Sequence, residues 1–149
     1  HSGLLAPLPT DRIVMVDVRN LDDREETLVK STDVVVAATA EGFPGVDLTT
    51  AVNDLAAQCD ILYLHIDSDI LDESYVPNHG TKEPNGPNMQ QTLDAVETVM
   101  ATGKVAAYAI VSVWKDGEGG DITLASGQEL LRGGLERWAQ HGMPEVPLA

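Results

Sequence analysis

Four short, nearly continuous apolar runs, each separated from the next by a segment of helical spacing, limit what this chain can become. They are Arg12 to Arg19, Asp33 to Ala38, Ile61 to Ile66 and Val105 to Trp114. Strands that are apolar on successive residues suit burial on both faces, and alternation with helices predicts a parallel α/β sheet between helix layers. The helices expected between them cover Asp22 to Ser31, a segment opened by Asp47, and Met89 to Ala101 with Gly103 as its stop. The apolar positions of the second are Val46, Leu48, Val52, Leu55 and Ala56. A last helix is expected to be capped by Thr123 or Ser126 and to run through Gln140, with Leu130, Leu131, Leu135 and Trp138 on its apolar face. At 149 residues with 43% hydrophobic content, one domain with one core spanning 1–149 is the expectation.

The third run ends in Asp67 and Asp69, spaced i and i+2. On a strand that spacing sends both side chains to one face, where they can converge on one cation. In a parallel sheet it also puts them at the carboxyl ends of the strands, where ligands bind. Carboxylates beside so apolar a run call for a partner. Hard oxygen donors suit Mn²⁺ or Mg²⁺, and a pair of such ions can acidify a bridging water into a hydroxide nucleophile. Hydrolysis is the chemistry that follows, while capping of the next turn is the competing structural role.

Charge and composition narrow the partners. A formal charge of −15 argues against nucleic acid or an anionic membrane surface and suits a cationic ligand, although a solvated acidic surface produces the same number. The lone Cys59 cannot form an internal disulfide, which fits a reducing cytoplasm. No apolar stretch near 20 residues and no leader pattern is evident, and a start at His1 suggests a trimmed or partial chain.

The stretch from Leu62 to Pro87 contains I-D-S-D-I-L-D, then Tyr75-Val76-Pro77, Gly80-Thr81, Pro84 and Gly86. It resembles the last metal-binding motif of the arginase/agmatinase/formimidoylglutamase (ureohydrolase) family, S-x-D-x-D-x-x-D-P followed by P-x-x-G-T-P and a glycine-rich segment. Ile13 to Glu25 and Val105 to Trp114 are similar to further strands of that family. The resemblance implies the C-terminal half of a three-layer α-β-α arginase/deacetylase-like fold. It implies hydrolysis of a linear amidine or guanidino C–N bond at a site holding two Mn²⁺ ions, with Asp67 and Asp69 as metal ligands. Asp22 and Glu25 match substrate-contacting acids, and Gln91 falls on or near the position of a guanidinium-binding glutamate. The expected partners are a small cationic guanidino or amidino substrate, the missing N-terminal half of the fold, and further copies of the chain as a trimer or hexamer. The family's remaining ligands, an N-terminal histidine and a D-x-H-x-D motif, do not occur in these 149 residues.

His65 replaces the family's serine, Glu73 the proline after the third aspartate, and Lys82 the proline of G-T-P. By alternation His65 shares a face with Asp67 and Asp69 and could be a third ligand, or else a partly buried, hydrogen-bonded histidine. His79 in the following loop could move a proton or simply face solvent. Cys59 reads as a small helix-end residue, Trp114 and Trp138 as core, and His1 and His141 as terminal or surface. The loop Gly117 to Asp121 lacks the G-K-[ST] ending of a phosphate cradle. Two alternatives remain: a catalytically inactive module of the same fold, and a Mg²⁺-dependent D-x-D phosphohydrolase, which Ile70-Leu71 fits poorly.

Overall fold

The computed structural model describes residues 7–142 and 144. Its elements run β1 (Val14–Val16), α1 (Asp23–Lys30), β2 (Val35–Ala37), α2 (Leu48–Ala57), β3 (Leu62–Asp67), α3 (Met89–Met100), β4 (Val105–Val111) and α4 (Gly120–His141), with 3-10 turns at Thr10–Arg12 and Ser68–Ile70. This is the alternating α/β order expected, with shorter strands at both ends of the first and last runs.

The strands form two parallel pairs. Val14, Met15 and Val16 of β1 face Val35, Val36 and Ala37 of β2, and β3 pairs with β4 from Leu62 opposite Val105 to Asp67 opposite Val111. Among the described residues β1 and β3 each have one strand partner. Their free edges face each other across a cavity of about 1060 Å³ lined by both strands. An unpaired central edge of this kind is what the apolar runs alone could not reveal, because hydrophobicity reports burial and not which strand lies alongside.

Helix packing explains the cores. Leu62, Ile66, Val105, Leu93, Val96, Met100 and Leu130 form one cluster between β3/β4 and α3/α4, and Ala37, Leu48, Ala51 and Val52 form another between β1/β2 and α2. Lys104 ties the C-terminal end of α2 down, donating from Nζ to the carbonyls of Ala56 (2.6 Å) and Cys59 (2.8 Å), where a cation also meets the negative end of the helix. Cys59 packs half-buried at that helix end. The face of β3 turned away from this core is open at Tyr63 and His65, which are exposed.

Helix α4 departs most from its expected form. It begins at Gly120 behind Gly119, whose φ of +82° starts the turn, so Thr123 and Ser126 are not caps. Both are buried: Ser126 donates to the Tyr75 carbonyl at 2.8 Å and Thr123 hydrogen-bonds Asn78. Leu131 and Leu135 lie outward and exposed, while Gly127, Leu130, Gly133 and Gly134 face inward. The helix approaches so closely that small residues take the core stripe and the larger ones are left outside. Trp114 is likewise exposed, contrary to its core reading, because β4 ends at Val111. Trp138 is part-buried and donates from Nε1 to the Val105 carbonyl at 2.9 Å. His141 reaches Glu97 of α3 at 2.5 Å. Val46 precedes α2 and bridges to Ala37 instead of joining the helix face.

The approach at Gly134 gives a direct test. A Cβ at Gly134 would sit 2.5 Å from the ring of Tyr108, whose hydroxyl donates to the Leu130 carbonyl at 2.9 Å and whose phenol is pushed by burial up to about 12. Gly134→Ala must displace that ring from its bond. A loss of about 1–3 kcal/mol in urea unfolding is expected despite the better helix propensity of alanine.

Candidate metal centre

Asp67 is the last residue of β3, and Asp69 lies two residues later, in the middle of the 3-10 turn Ser68–Ile70. The two carboxylates are therefore brought together by a strand end and a tight turn, not by alternation along one strand. Asp67 Oδ1 is buried with no hydrogen-bond partner. The Asp69 carboxyl is raised above its ordinary value, first by burial, then by the charge of Asp67 and by hydrogen bonding with the Asp67 carboxyl; His79 opposes the rise and Glu83 adds to it. Two anions held this close, one of them with an orphaned buried oxygen, are the donor set of a hard cation. Asp67 and Asp69 thus fit a divalent metal. Among the described residues no three His, Cys, Asp or Glu side chains converge on one point, so the described residues supply a share of a site and not a whole cage.

The third aspartate of the motif serves the loop. Asp72 accepts from Ser74 Oγ (2.6 Å), Ser74 N (3.1 Å) and Asn85 N (3.0 Å), and these bonds, the Ser74 hydroxyl first, hold its carboxyl low. Its backbone N–H donates to the Pro87 carbonyl at 3.1 Å. The segment after the metal pair is therefore closed on itself by one carboxylate. Gly86 sits inside that closure, where a Cβ would come 2.6 Å from Asp72 N.

Two residues of the site escaped the sequence reading as a pair: Asp17 and Arg19. Asp17 follows β1 with φ +53°, and its side chain is fully buried. Arg19 Nη1 lies 2.8 Å from Asp17 Oδ2, and Nη2 donates to the Asp69 carbonyl at 2.7 Å. The guanidinium thus clamps the end of β1 to the metal-pair turn. Burial nevertheless leaves the Asp17 carboxyl raised, with Arg19 only partly offsetting it. The signal was an aspartate inside the apolar run I-V-M-V-D-V-R, two residues before an arginine. Asn20 Nδ2 donates to Glu83 at 3.1 Å and sets that acid beside the pair.

The other candidates lie as follows. His65 is exposed, not partly buried, and its Nδ1 is hydrogen-bonded with the Tyr63 hydroxyl at 3.1 Å. Asp22 caps α1, accepting from the N–H groups of Arg24 (2.7 Å) and Glu25 (2.9 Å), while Glu25 accepts from Asp22 N (3.0 Å). Gln91 accepts from Asn88 N at 2.9 Å and closes the same kind of box at the start of α3. His79 is buried in the loop beside Asp69, and His1 lies outside the described residues.

The model of the Arginase family matches residues 2–133. The arginase of Brucella melitensis is 26% identical over 113 residues, 74% of this chain and 37% of its own length. Among solved structures, arginase from Bacillus subtilis superposes with a TM-score of 0.65 at 22% identity, covering 85% of this chain and 45% of that one. Formimidoylglutamase from Bacillus subtilis gives 0.71 at 17%, covering 91% and 43%, and a hypothetical agmatinase from Burkholderia thailandensis 0.62 at 21%, covering 89% and 41%. The chain spans less than half the length of these relatives. With the D-x-D turn, its closed glycine loop and the parallel strands beneath them all matched by one family model, the chain belongs to the Arginase family.

Proposed function

We propose that this chain is the C-terminal part, a single α/β unit over 1–149, of a hydrolase that cleaves a linear amidine or guanidino C–N bond at a site holding two Mn²⁺ ions. The observation that carries this reading is the orphaned, buried Asp67 Oδ1 beside the crowded Asp69 carboxyl in a chain of this family. Bound manganese would supply Lewis-acid polarisation and an acidified water. Asp67 and Asp69 hold it, and Arg19 fixes the turn that carries Asp69. Asp17, Asp69 and Glu83 all line the cavity and favour a cation there.

Asp22, Glu25 and Gln91 are the proposed substrate contacts. Each holds a capping box, so each is pre-oriented but must share its oxygens between helix and substrate. The facing edges of β1 and β3 support completion of the sheet by the part of the family fold that this chain does not span, and assembly into homo-oligomers is proposed with it. No described helix is long and apolar enough to cross a membrane.

The test is metal analysis of the full-length protein, followed by urea-release and ammonia-release assays over guanidino and amidino compounds. Two manganese ions per chain and turnover of one compound class are expected. A full-length protein that binds no metal and releases neither product overturns the reading and leaves an assembly module.

A further inference from the structure

Helix α4 is 22 residues long and packs on α3 and β4 through the face that carries Gly127, Leu130, Gly133 and Gly134. Its larger apolar side chains stand on the other side. Leu131 and Leu135, one turn apart, are 48% and 46% exposed. With Leu124 and Gln128 they recur at steps of four, three and four residues, the spacing of a seam that packs against another helix. Gln128, Leu131 and Leu135 line a shallow groove along the helix with Arg132, Glu136 and Ala139. A single exposed leucine is ordinary, whereas two on adjacent turns at seam spacing call for a cover.

The charges beside the seam decide what covers it. Glu129, Arg132 and Glu136 follow its flank at steps of three and four, and Arg132 is ion-paired with Glu129. The whole chain carries −15, so most of its surface repels a second copy. Here an arginine stands between two acids, an order that reads the same in both directions along the helix. A second helix of this sequence laid antiparallel therefore meets complementary charge. Set Leu131 opposite Leu135 of the second copy, and Arg132 comes within two residues, about 3 Å along the axis, of Glu136 of that copy. Two-fold symmetry makes both contacts twice.

We infer that α4 pairs antiparallel with α4 of a second copy of this chain, through Leu131 and Leu135, with Arg132 and Glu136 setting the register. The inference rests on the homo-oligomer reading above and names its surface; it needs neither metal nor substrate. Four leucines in a contact one helix wide make a reversible association, so concentration dependence reports it. The same stripe explains why glycines and not leucines face α3 and β4: the leucines serve the outer contact.

The experiment is sedimentation velocity of the full-length protein over a range of concentrations, with urea unfolding of each variant at low concentration. Leu131→Gln combined with Leu135→Gln should yield a species of half the parent's mass, with the unfolding midpoint near that of the parent. Arg132→Glu and Glu136→Arg should each weaken association by about tenfold or more, the lower end of coupling between close interfacial charges. The double exchange should recover most of that loss, because reversal swaps both partners together.

A parent that stays monomeric at every concentration, or a glutamine variant of undiminished mass, would overturn the inference. A glutamine variant that unfolds at lower urea with its mass unchanged would show the leucines covered by the protein's own chain, and would overturn it too. So would a double charge exchange that recovers nothing. Mass and unfolding are read without metal or substrate, so failure here and failure of the hydrolase reading are told apart. A half-mass glutamine variant that still releases urea or ammonia would support both.

Discussion

Asp69→Asn is expected to make the metal-free protein more stable while depriving it of its metal. The Asp69 carboxyl is held above its ordinary value, by burial first and by Asp67 second, so its charged form is disfavoured in the fold. A group raised in this way contributes stability that is full below its unfolded value and is lost as pH rises through the folded one. At neutral pH the acid is therefore a cost unless a cation sits beside it. Asparagine removes the charge, and its amide can donate to the orphaned Asp67 oxygen.

The expected gain is small, because the Asp69 side chain is 37% exposed and solvent screens part of the cost. For a chain of this size each kcal/mol corresponds to about 2–4 °C in Tm. Metal affinity should fall by more than the roughly 10–100-fold that loss of an outer-shell contact costs. Thermal unfolding after chelation, paired with equilibrium dialysis against Mn²⁺, measures both on the full-length protein. A less stable metal-free variant, or unchanged metal retention, would mean that Asp69 is held for the fold and not for an ion.

Arg19→Met is expected to be the most damaging single change to stability. It leaves Asp17, whose side chain is fully buried, with no countercharge, and it cuts the bond to the Asp69 carbonyl. Breaking a buried pair by removing one partner costs about 3–5 kcal/mol. The pH dependence has a definite sign. Burial already raises the Asp17 carboxyl above its ordinary 3.8, and Arg19 is what opposes it.

Without the guanidinium the Asp17 carboxyl rises further, so protonation relieves the cost, and the variant should regain stability as pH falls from neutral toward the ordinary 3.8. Asp47 and Asp72 do not mask the effect in that window. Hydrogen bonds from the Thr50 backbone N–H and the Ser74 hydroxyl, respectively the largest causes, hold their carboxyls low, and they lose stability only at more acid pH. Urea unfolding of parent and variant at neutral pH and in the acid window decides it. A deficit that stays constant across that range would assign the loss to the Asp69 carbonyl bond alone.

The acids of the motif were legible because carboxylates after an apolar run need an explanation that few residues can give. Their partners were less so. Asp17 and Arg19 meet Asp69 across 50 and more residues of chain, and no local period encodes which strand end lies beside which turn. His65 satisfied strand alternation and proved exposed, on the open face of β3 that it shares with Tyr63, while Asp69 lies beyond the strand. His79 had no pattern to recommend it. It is placed by a loop that Asp72 closes upon itself and by a carbonyl from β4's far end.

Helix α4 shows the same division of information. Its apolar periodicity named Leu130 correctly and misplaced Leu131 and Leu135, since hydrophobic spacing marks a face only when the approach distance leaves room for side chains on it. Glycines at 133 and 134 carried that distance, legible only with Leu93 and Tyr108 in place against them.

The amino-acid sequence by itself determined the alternating elements, the family and the carboxylate pair, because these depend on short-range periodicity and on a contiguous motif. Tertiary structure alone decided the Arg19 clamp, the orientation of His79 and which strands, β1 and β3, carry the open edges. Those depend on which distant backbone segments lie side by side, and packing of the whole chain settles that where no local pattern can.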